Sequence, residues 1–363
     1  MTMPYGRHNS RILTMRRLFL LILSAAMIFV CGGCYLAKQG TGLLGYQFRT
    51  VPINKMLKDD GITPETREFL LRVLDIREFA MDSLGLRRNK NYLKYVSVDK
   101  DYMIDVLVAS KDDTFDLYKW WFPITGSVPY KGFFERKDAE KEARRITKKG
   151  GYDITIGKAD AFSTLGITAD PIYSFMVNYS VYDLASLIIH EQTHATVFIK
   201  NQIQLNEEMA TFVGDVGGLL YIKDRFGEDS DEYRTAVLSK EDYRTYINLM
   251  REIYGELQAV YAADSSRGYK LAEKERIFGD FRAMVAESYD SLFRTPRYRG
   301  LRQAELNNAV IASRMTYNLD MSLFYDLYEK RWQDLPAAIR DLKGLKKIKK
   351  NHKDHLRGII ESR

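Results

Sequence analysis

Leu187-Ile188-Ile189-His190-Glu191-Gln192-Thr193-His194-Ala195 sets two histidines four residues apart in an apolar segment that reads as a buried helix. On a helix of 3.6 residues per turn, His190 and His194 project from one face and can converge on a single metal ion, with Glu191 beside the first of them. This is the HExxH spacing, which supplies two zinc ligands and an adjacent carboxylate. The chain has only five histidines (His8, His190, His194, His352 and His355), so the pairing is rare by chance. The competing reading is a helix with two hydrogen-bonded core histidines.

A catalytic zinc takes three protein ligands and keeps a fourth position open, so two histidines are one ligand short. A short connection further on, Gln204-Leu205-Asn206-Glu207-Glu208-Met209-Ala210-Thr211-Phe212 starts a second helical pattern. There Glu207, Ala210, Thr211, Gly214 and Gly218 share a face at i, i+3, i+4, i+7 and i+11. Small residues on that face let two helices approach closely, which a short Glu needs to reach zinc about 2 Å away. Glu207 is therefore the third-ligand candidate. Glu208, about 100° round the helix, is the alternative, and a solvated first-turn acid is the competing reading of Glu207.

Glu191 is poorly placed to be a second metal ligand from one residue along. It can take a proton from the attacking water and hand one to the leaving amine. Stabilising the oxyanion is a task for a Tyr, His or Arg from elsewhere, and the sequence does not select among tyrosines such as Tyr254, Tyr261 and Tyr317. Asp183, on the same face as His190, either orients a ligand or acts as an acid at the helix N-terminus.

Residues 1–33 hold Arg7, Arg11, Arg16 and Arg17 with no acid, then an apolar run from Leu18 to Val30, then Cys31-Gly32-Gly33-Cys34. A basic stretch, a short apolar run and small residues before a cleavage point describe an export signal, and the run is too short for a stable bilayer span. Its ending resembles a lipobox, with cleavage before Cys34 and lipidation of that cysteine. The only cysteines are Cys31 and Cys34, so no disulfide is expected, and a mature chain of this length can bury a substantial core.

The formal charge of +7 comes from the two ends of the chain. The four arginines above and the eight Lys or Arg of residues 343–363 outweigh it, which leaves a slightly acidic body. Basic residues gathered at a terminus, not along a folded face, exclude a nucleic-acid-binding reading. The basic end reads as a solvated tail, with contact to anionic lipid as the alternative.

Along the body, Thr63-Pro64-Glu65 reads as an N-cap, a first-turn proline and a first-turn acid opening a helix with Phe69, Leu70, Val73, Leu74 and Ala80 on one side. Tyr92 to Val108 and Trp120 to Phe134 are rich in aromatic and β-branched residues and read as strands, broken by a turn at Ser110-Lys111-Asp112-Asp113. A charged surface helix is expected over Lys137 to Lys149, and alternation returns over Tyr152 to Leu165. From Val181 onward helical periodicity dominates, with a long helix opening at Ser239 and others near 268–291, 303–317 and 322–342. The expected organisation is a signal at 1–33, one α+β catalytic unit at 34–342 and a basic tail at 343–363. In that unit a small sheet half precedes the HExxH helix and a mostly helical half follows it.

HExxH followed by Asn206-Glu207-x-x-Ala210 resembles the gluzincins, zinc peptidases whose third ligand is a Glu on the following helix. More closely, the chain resembles bacterial lipoproteins described as predicted aminopeptidases. The similarity runs through Gly33-Cys34-Tyr35, Phe122 to Phe133, Ala161-Phe162-Ser163-Thr164-Leu165-Gly166 with Asp170-Pro171, the HExxH helix, Asn206 to Phe212, and Leu306-Asn307-Asn308-Ala309. The resemblance implies a gluzincin-like fold, one zinc per chain held by His190, His194 and Glu207, Glu191 as base, and a peptide or protein substrate. It implies a place in the cell envelope, anchored through Cys34, facing the periplasm or the cell exterior. It also implies that Ala161, Phe162, Ser163 and Thr164 form an edge strand on which an extended peptide pairs. Ser127 stands where many relatives carry Cys, and the GxMEN-type signature of the better-known gluzincin aminopeptidases is absent. The alternative is an exported lipoprotein that keeps the zinc fold as a binding or envelope-assembly module. A transmembrane channel lacks a second long apolar run.

Overall fold

The computed structural model describes residues 35, 45–122, 126–159, 169–316 and 320–362. The export signal, Cys34, the strand expected at Ala161 to Thr164, and Tyr317 lie outside these residues. The chain divides into two compact units, the described parts of Met1–Arg49 with Trp120–Val128, and of Thr50–Lys119 with Pro129–Arg363. The smaller contains an antiparallel hairpin, Trp120–Phe122 with Gly126–Val128, in which Trp121 lies opposite Ser127. The larger unit carries two small sheets and a helical half.

Its strands are β1 (Val51–Pro52), β2 (Lys94–Val96), β3 (Ile104–Lys111), β4 (Lys131–Phe133), β5 (Tyr152–Ala159) and β6 (Ile172–Tyr173). They make two small sheets, β1-β2-β6 with β2 and β6 parallel, and an antiparallel β4-β3-β5 in which Val106 faces Gly132 on one side and Gly157 on the other. Strand β3 continues through Ser110 and Lys111, where the polar run suggested a turn. Ser110 is fully buried, and the Lys111 ammonium lies 4.4 Å from the centre of the Tyr152 ring on the paired strand. The chain reverses instead over Asp112 to Asp116, closed by the bond from Lys111 N–H to the Asp116 carbonyl at 3.0 Å.

Helix α1 (Pro64–Asp82) starts as the sequence indicates, with the Thr63 hydroxyl accepting from Thr66 N–H at 3.2 Å and Pro64 in the first turn, where no N–H is needed. It buries Phe69, Leu70, Val73, Ile76 and Ala80, each large side chain stabilising the fold by roughly 1.5–3 kcal/mol. Helix α2 (Arg136–Thr147) connects β4 to β5 and seats Ala139 and Ile146 in the core.

The helical half comprises α3 (Val181–Thr196), α4 (Ile203–Phe226), α5 (Asp231–Ala262), α6 (Arg267–Leu292), α7 (Asn308–Thr316), α8 (Ser322–Lys330), α9 (Leu335–Gly344) and α10 (His352–Glu361). The architecture is therefore α+β and zincin-like, with the sheets first and the HExxH helix α3 opening the helical part. Helix α5 starts eight residues earlier than its apolar stripe suggests, because Ser230 caps it by accepting from Tyr233 N–H at 3.1 Å. The helix expected over 322–342 is two helices. Trp332 and Gln333 both have positive φ, and Asp334 and Pro336 begin the new helix. Among the described residues no helix is long and apolar enough to cross a membrane.

Asn308, in the Leu306 to Ala309 motif, ties the antiparallel sheet to the helical half. It is fully buried. Its amide donates to the carbonyls of Lys111 (2.9 Å) and Thr114 (3.0 Å), its carbonyl accepts from the Tyr261 hydroxyl (2.8 Å), and its backbone N–H donates to Asp153 (2.8 Å). Lys274 donates to the same Asp153 carboxylate at 2.9 Å.

The basic C-terminal stretch is folded where its charge suggested solvent. Helix α10 buries Leu356 and His352, and the Lys353 ammonium lies 2.7 Å from the carboxylate of the fully buried Glu208 on α4. Removing the cation would leave that carboxylate buried without its counter-charge. Lys353→Met is expected to lower stability by about 3 kcal/mol, the low end of the range for a broken buried pair because the lysine reaches solvent. A denaturant-unfolding midpoint equal to wild type would exclude this role.

Candidate metal centre

Helix α3 carries the HExxH residues. Ser180 caps it by accepting from Asp183 N–H at 3.1 Å, and its outer side is buried through Leu184, Ala185, Ile188 and Ile189. That burial fixes the helix rotation and leaves His190 and His194 half-buried on the opposite side, with Glu191, also half-buried, about 100° round the helix from His190. Helix α4 packs along α3 at very short range. A Cβ on Gly214 would lie 2.7 Å from the Ser186 carbonyl oxygen and 3.1 Å from His190 Cβ, and one on Gly218 would lie 3.2 Å from Ser186 N. The small-residue face read from the sequence is thus the contact face. Gly214→Ala is expected to push α4 off α3 and to weaken metal binding at least tenfold, measured by competition with a chromophoric chelator. Unchanged affinity would mean the helices can part without moving Glu207.

At this junction His190 Nε2 and His194 Nε2 are 3.1 Å apart, and the Glu207 carboxylate oxygens lie 3.5 Å from the former and 3.4 Å from the latter. Three atoms each about 2.0–2.1 Å from a tetrahedral zinc are about 3.3 Å from one another. The observed separations therefore fit one ion among His190, His194 and Glu207, the metal-holding group found among the described residues. Two neutral imidazoles and a carboxylate are also the donor types zinc accepts.

The electrostatics agree with a convergent site. Burial pushes the Glu207 carboxyl up, but the contacts with His190 and His194 outweigh it and hold the group well below the usual carboxylate range. Burial pushes His194 down, and the contact with Glu207, with the charges of Glu207 and Glu191, more than reverses this. Glu207 is therefore an anion ready for a cation at neutral pH.

Glu208 does not share the site. It turns inward to Lys353 and accepts from Gln204 Nε2 at 3.0 Å. Asp183 is held by Arg297, whose Nη1 donates to both its oxygens at 2.9 and 3.1 Å, and by the Ser180 hydroxyl at 2.9 Å, so it acts at the helix N-terminus and orients neither histidine. Tyr261 is committed to Asn308, and Tyr254 packs on Phe115 with ring centres 4.4 Å apart.

A strap over residues 87–92 braces the far side of α3, and periodicity gave no sign of it. Arg87 N–H donates to Thr196 Oγ1 at 2.9 Å, and the Asn89 amide donates to the side-chain carbonyl of Gln192, a fully buried residue inside the HExxH motif. Buried Arg77 holds the strap from behind, donating to the carbonyls of Asn89 (2.5 Å) and Asn91 (2.7 Å). The strap ends at Tyr92, whose φ is +58°, a conformation that costs a bulky residue about 1–3 kcal/mol. The Asn-rich run Asn89-Lys90-Asn91 was its one signal, since asparagine favours local turns.

No curated protein and no solved structure matches the chain. A family model described as "Putative aminopeptidase" matches residues 34–356, which include both sheets, the HExxH helix, the Glu207 helix and α10 through Leu356. On that match, the chain belongs to this aminopeptidase family.

Proposed function

We propose that the protein is a zinc-dependent peptidase anchored to the bacterial cell envelope through a lipid on Cys34, facing the periplasm or the cell exterior. The observation that carries this reading is the convergence of His190, His194 and Glu207, with Glu191 left out of the cluster. His190, His194 and Glu207 would hold one zinc per chain. Zinc bound there lowers the pKa of water and polarises a carbonyl. Glu191 takes a proton from the attacking water as it adds to the scissile carbonyl, and returns a proton to the amine as the C–N bond breaks. A site needed only for structure has no use for such a carboxylate, which favours an enzyme over a binding module that merely keeps the fold.

Anchoring rests on the sequence: an apolar run from Leu18 to Val30 followed directly by Gly32-Gly33-Cys34. Peptide substrates follow from the family, and Ala161 to Thr164 are proposed as the strand on which they pair. The test uses full-length protein in detergent, digested against a mixed peptide library, alongside fractionation of cells making Cys34→Ala. The reading expects new amino termini from the library and release of the variant from the membrane fraction. No cleavage of any peptide by zinc-loaded protein would defeat the enzymatic half, and membrane retention of Cys34→Ala the anchoring half.

A further inference from the structure

Two segments far apart in the chain lie side by side next to the metal centre. Residues 197–206 lead from helix α3 into the first turn of α4, and residues 345–351 join α9 to α10. Lys346 Nζ donates to the carbonyl of Thr196, where the first segment begins, at 3.4 Å. Lys353, just past the second segment, lies 2.7 Å from the carboxylate of Glu208, just past the first. With both ends shared, the lysine-rich segment runs along the α3–α4 connection. Together the two carry Lys200, Lys346, Lys347, Lys349 and Lys350, all exposed, and no acidic residue to neutralise them.

The same connection holds apolar side chains out in water. Val197 and Ile199 are buried, whereas Phe198 between them is 45 % exposed and Ile203, the first residue of α4, is 75 % exposed. A slack loop is not the reason. Buried Asn206 clamps Ile199, its side-chain oxygen accepting from Ile199 N–H at 2.9 Å and its amide donating to the Ile199 carbonyl at 2.8 Å. A pinned loop that keeps two large apolar side chains in solvent forgoes the stabilisation their burial would bring, and apolar patches rimmed by polar residues mark interaction surfaces.

The chemistry of the patch selects its partner. Apolar tips among lysines suit the boundary of a bilayer, where the tips enter the acyl region and the ammonium groups meet anionic headgroups. A substrate subsite would be concave and enclose its ligand, whereas these side chains stand out. We propose that residues 197–206 and 345–351 form a docking face for an anionic membrane surface, with Phe198 and Ile203 inserted and the five lysines on the headgroups. The inference rests on the envelope-anchoring reading and adds a second point of attachment. Ile203 precedes Glu207 by four residues, so the two share a face of α4 about 6 Å apart along its axis. Docking therefore holds the metal centre close to the lipid headgroups.

The test incorporates full-length protein into vesicles of phosphatidylglycerol with phosphatidylethanolamine, or of phosphatidylcholine alone, and reads amide hydrogen exchange by mass spectrometry. Each lysine near an anionic surface strengthens binding about fivefold. Exchange over 197–204 and 345–351 is therefore expected to slow on the order of tenfold or more on the anionic vesicles relative to the neutral ones. The slowing should vanish at about 1 M salt, where charges are screened beyond about 3 Å. It should also vanish when Lys200→Gln, Lys347→Gln, Lys349→Gln and Lys350→Gln are combined, with the melting temperature close to wild type. Phe198→Ser with Ile203→Ser, which leaves every charge in place, is expected to lose most of it. Protein that floats with both kinds of vesicle but exchanges equally on them would overturn the docking face and leave the anchoring reading standing. Slowing by a substrate peptide and not by anionic vesicles would overturn it in favour of a substrate subsite. Protein that floats with neither kind of vesicle would overturn both docking and anchoring.

Discussion

Glu191→Gln is expected to lower peptide cleavage by about 10²–10⁴-fold, the usual contribution of a positioned general base, while the protein still binds one zinc. The substitution keeps the size of the side chain and its hydrogen-bonding capacity and removes only the basic oxygen. Glu191 is half-buried beside the cluster, and His190, His194 and Glu207 close on one another without it. Activity and metal content should therefore separate in this variant. A Gln variant that keeps more than a tenth of wild-type kcat would remove Glu191 from the chemistry. One that loses its metal would place Glu191 among the ligands, against the geometry described.

His194→Ala is expected to empty the site. It deletes one of three convergent donors and leaves Glu207, whose carboxylate is held anionic largely by the two histidines, with a single partner. Zinc per chain after dialysis should fall from about one to near zero, and cleavage should vanish with it. A ligand that binds only the folded state stabilises it by about 2.7 kcal/mol at a hundredfold excess over its Kd. Wild type should then melt at a lower temperature after chelation, whereas His194→Ala should not respond to the chelator. A variant with full zinc content would mean that the metal sits elsewhere.

Much of this site could be read from spacing alone because helices convert spacing into direction. His190 and His194 share a face by the i, i+4 rule, and Glu207 shares one with Gly214 and Gly218 by the same rule. The close packing of α4 on Ser186 and His190 is what those small residues permit. Glu208 shows where such reasoning stops. Its direction was clear, but its partner, Lys353, is far along the chain in a stretch whose charge argued for solvent. Lysine reads as polar in sequence even when its stem packs and its ammonium closes a buried pair. The strap at 87–92 was invisible for a related reason, since side-chain bonds to backbone carbonyls, such as those of Arg77, leave no periodic trace. Helix starts were legible at Thr63, where a cap precedes a proline, and misread at α5, where apolar residues thin out after the true cap at Ser230.

If His190, His194 and Glu207 hold one zinc and the fold uses it to cut peptides, metal content and cleavage must rise and fall together. The most direct measurement is metal content and peptide cleavage on the same sample of full-length protein, before chelation, after chelation and after zinc is restored. The expected result is about one zinc per chain, with cleavage that stops when the metal is removed and returns in proportion as it is added back. Protein prepared without chelators that carries no metal, or cleavage indifferent to metal removal, would contradict it.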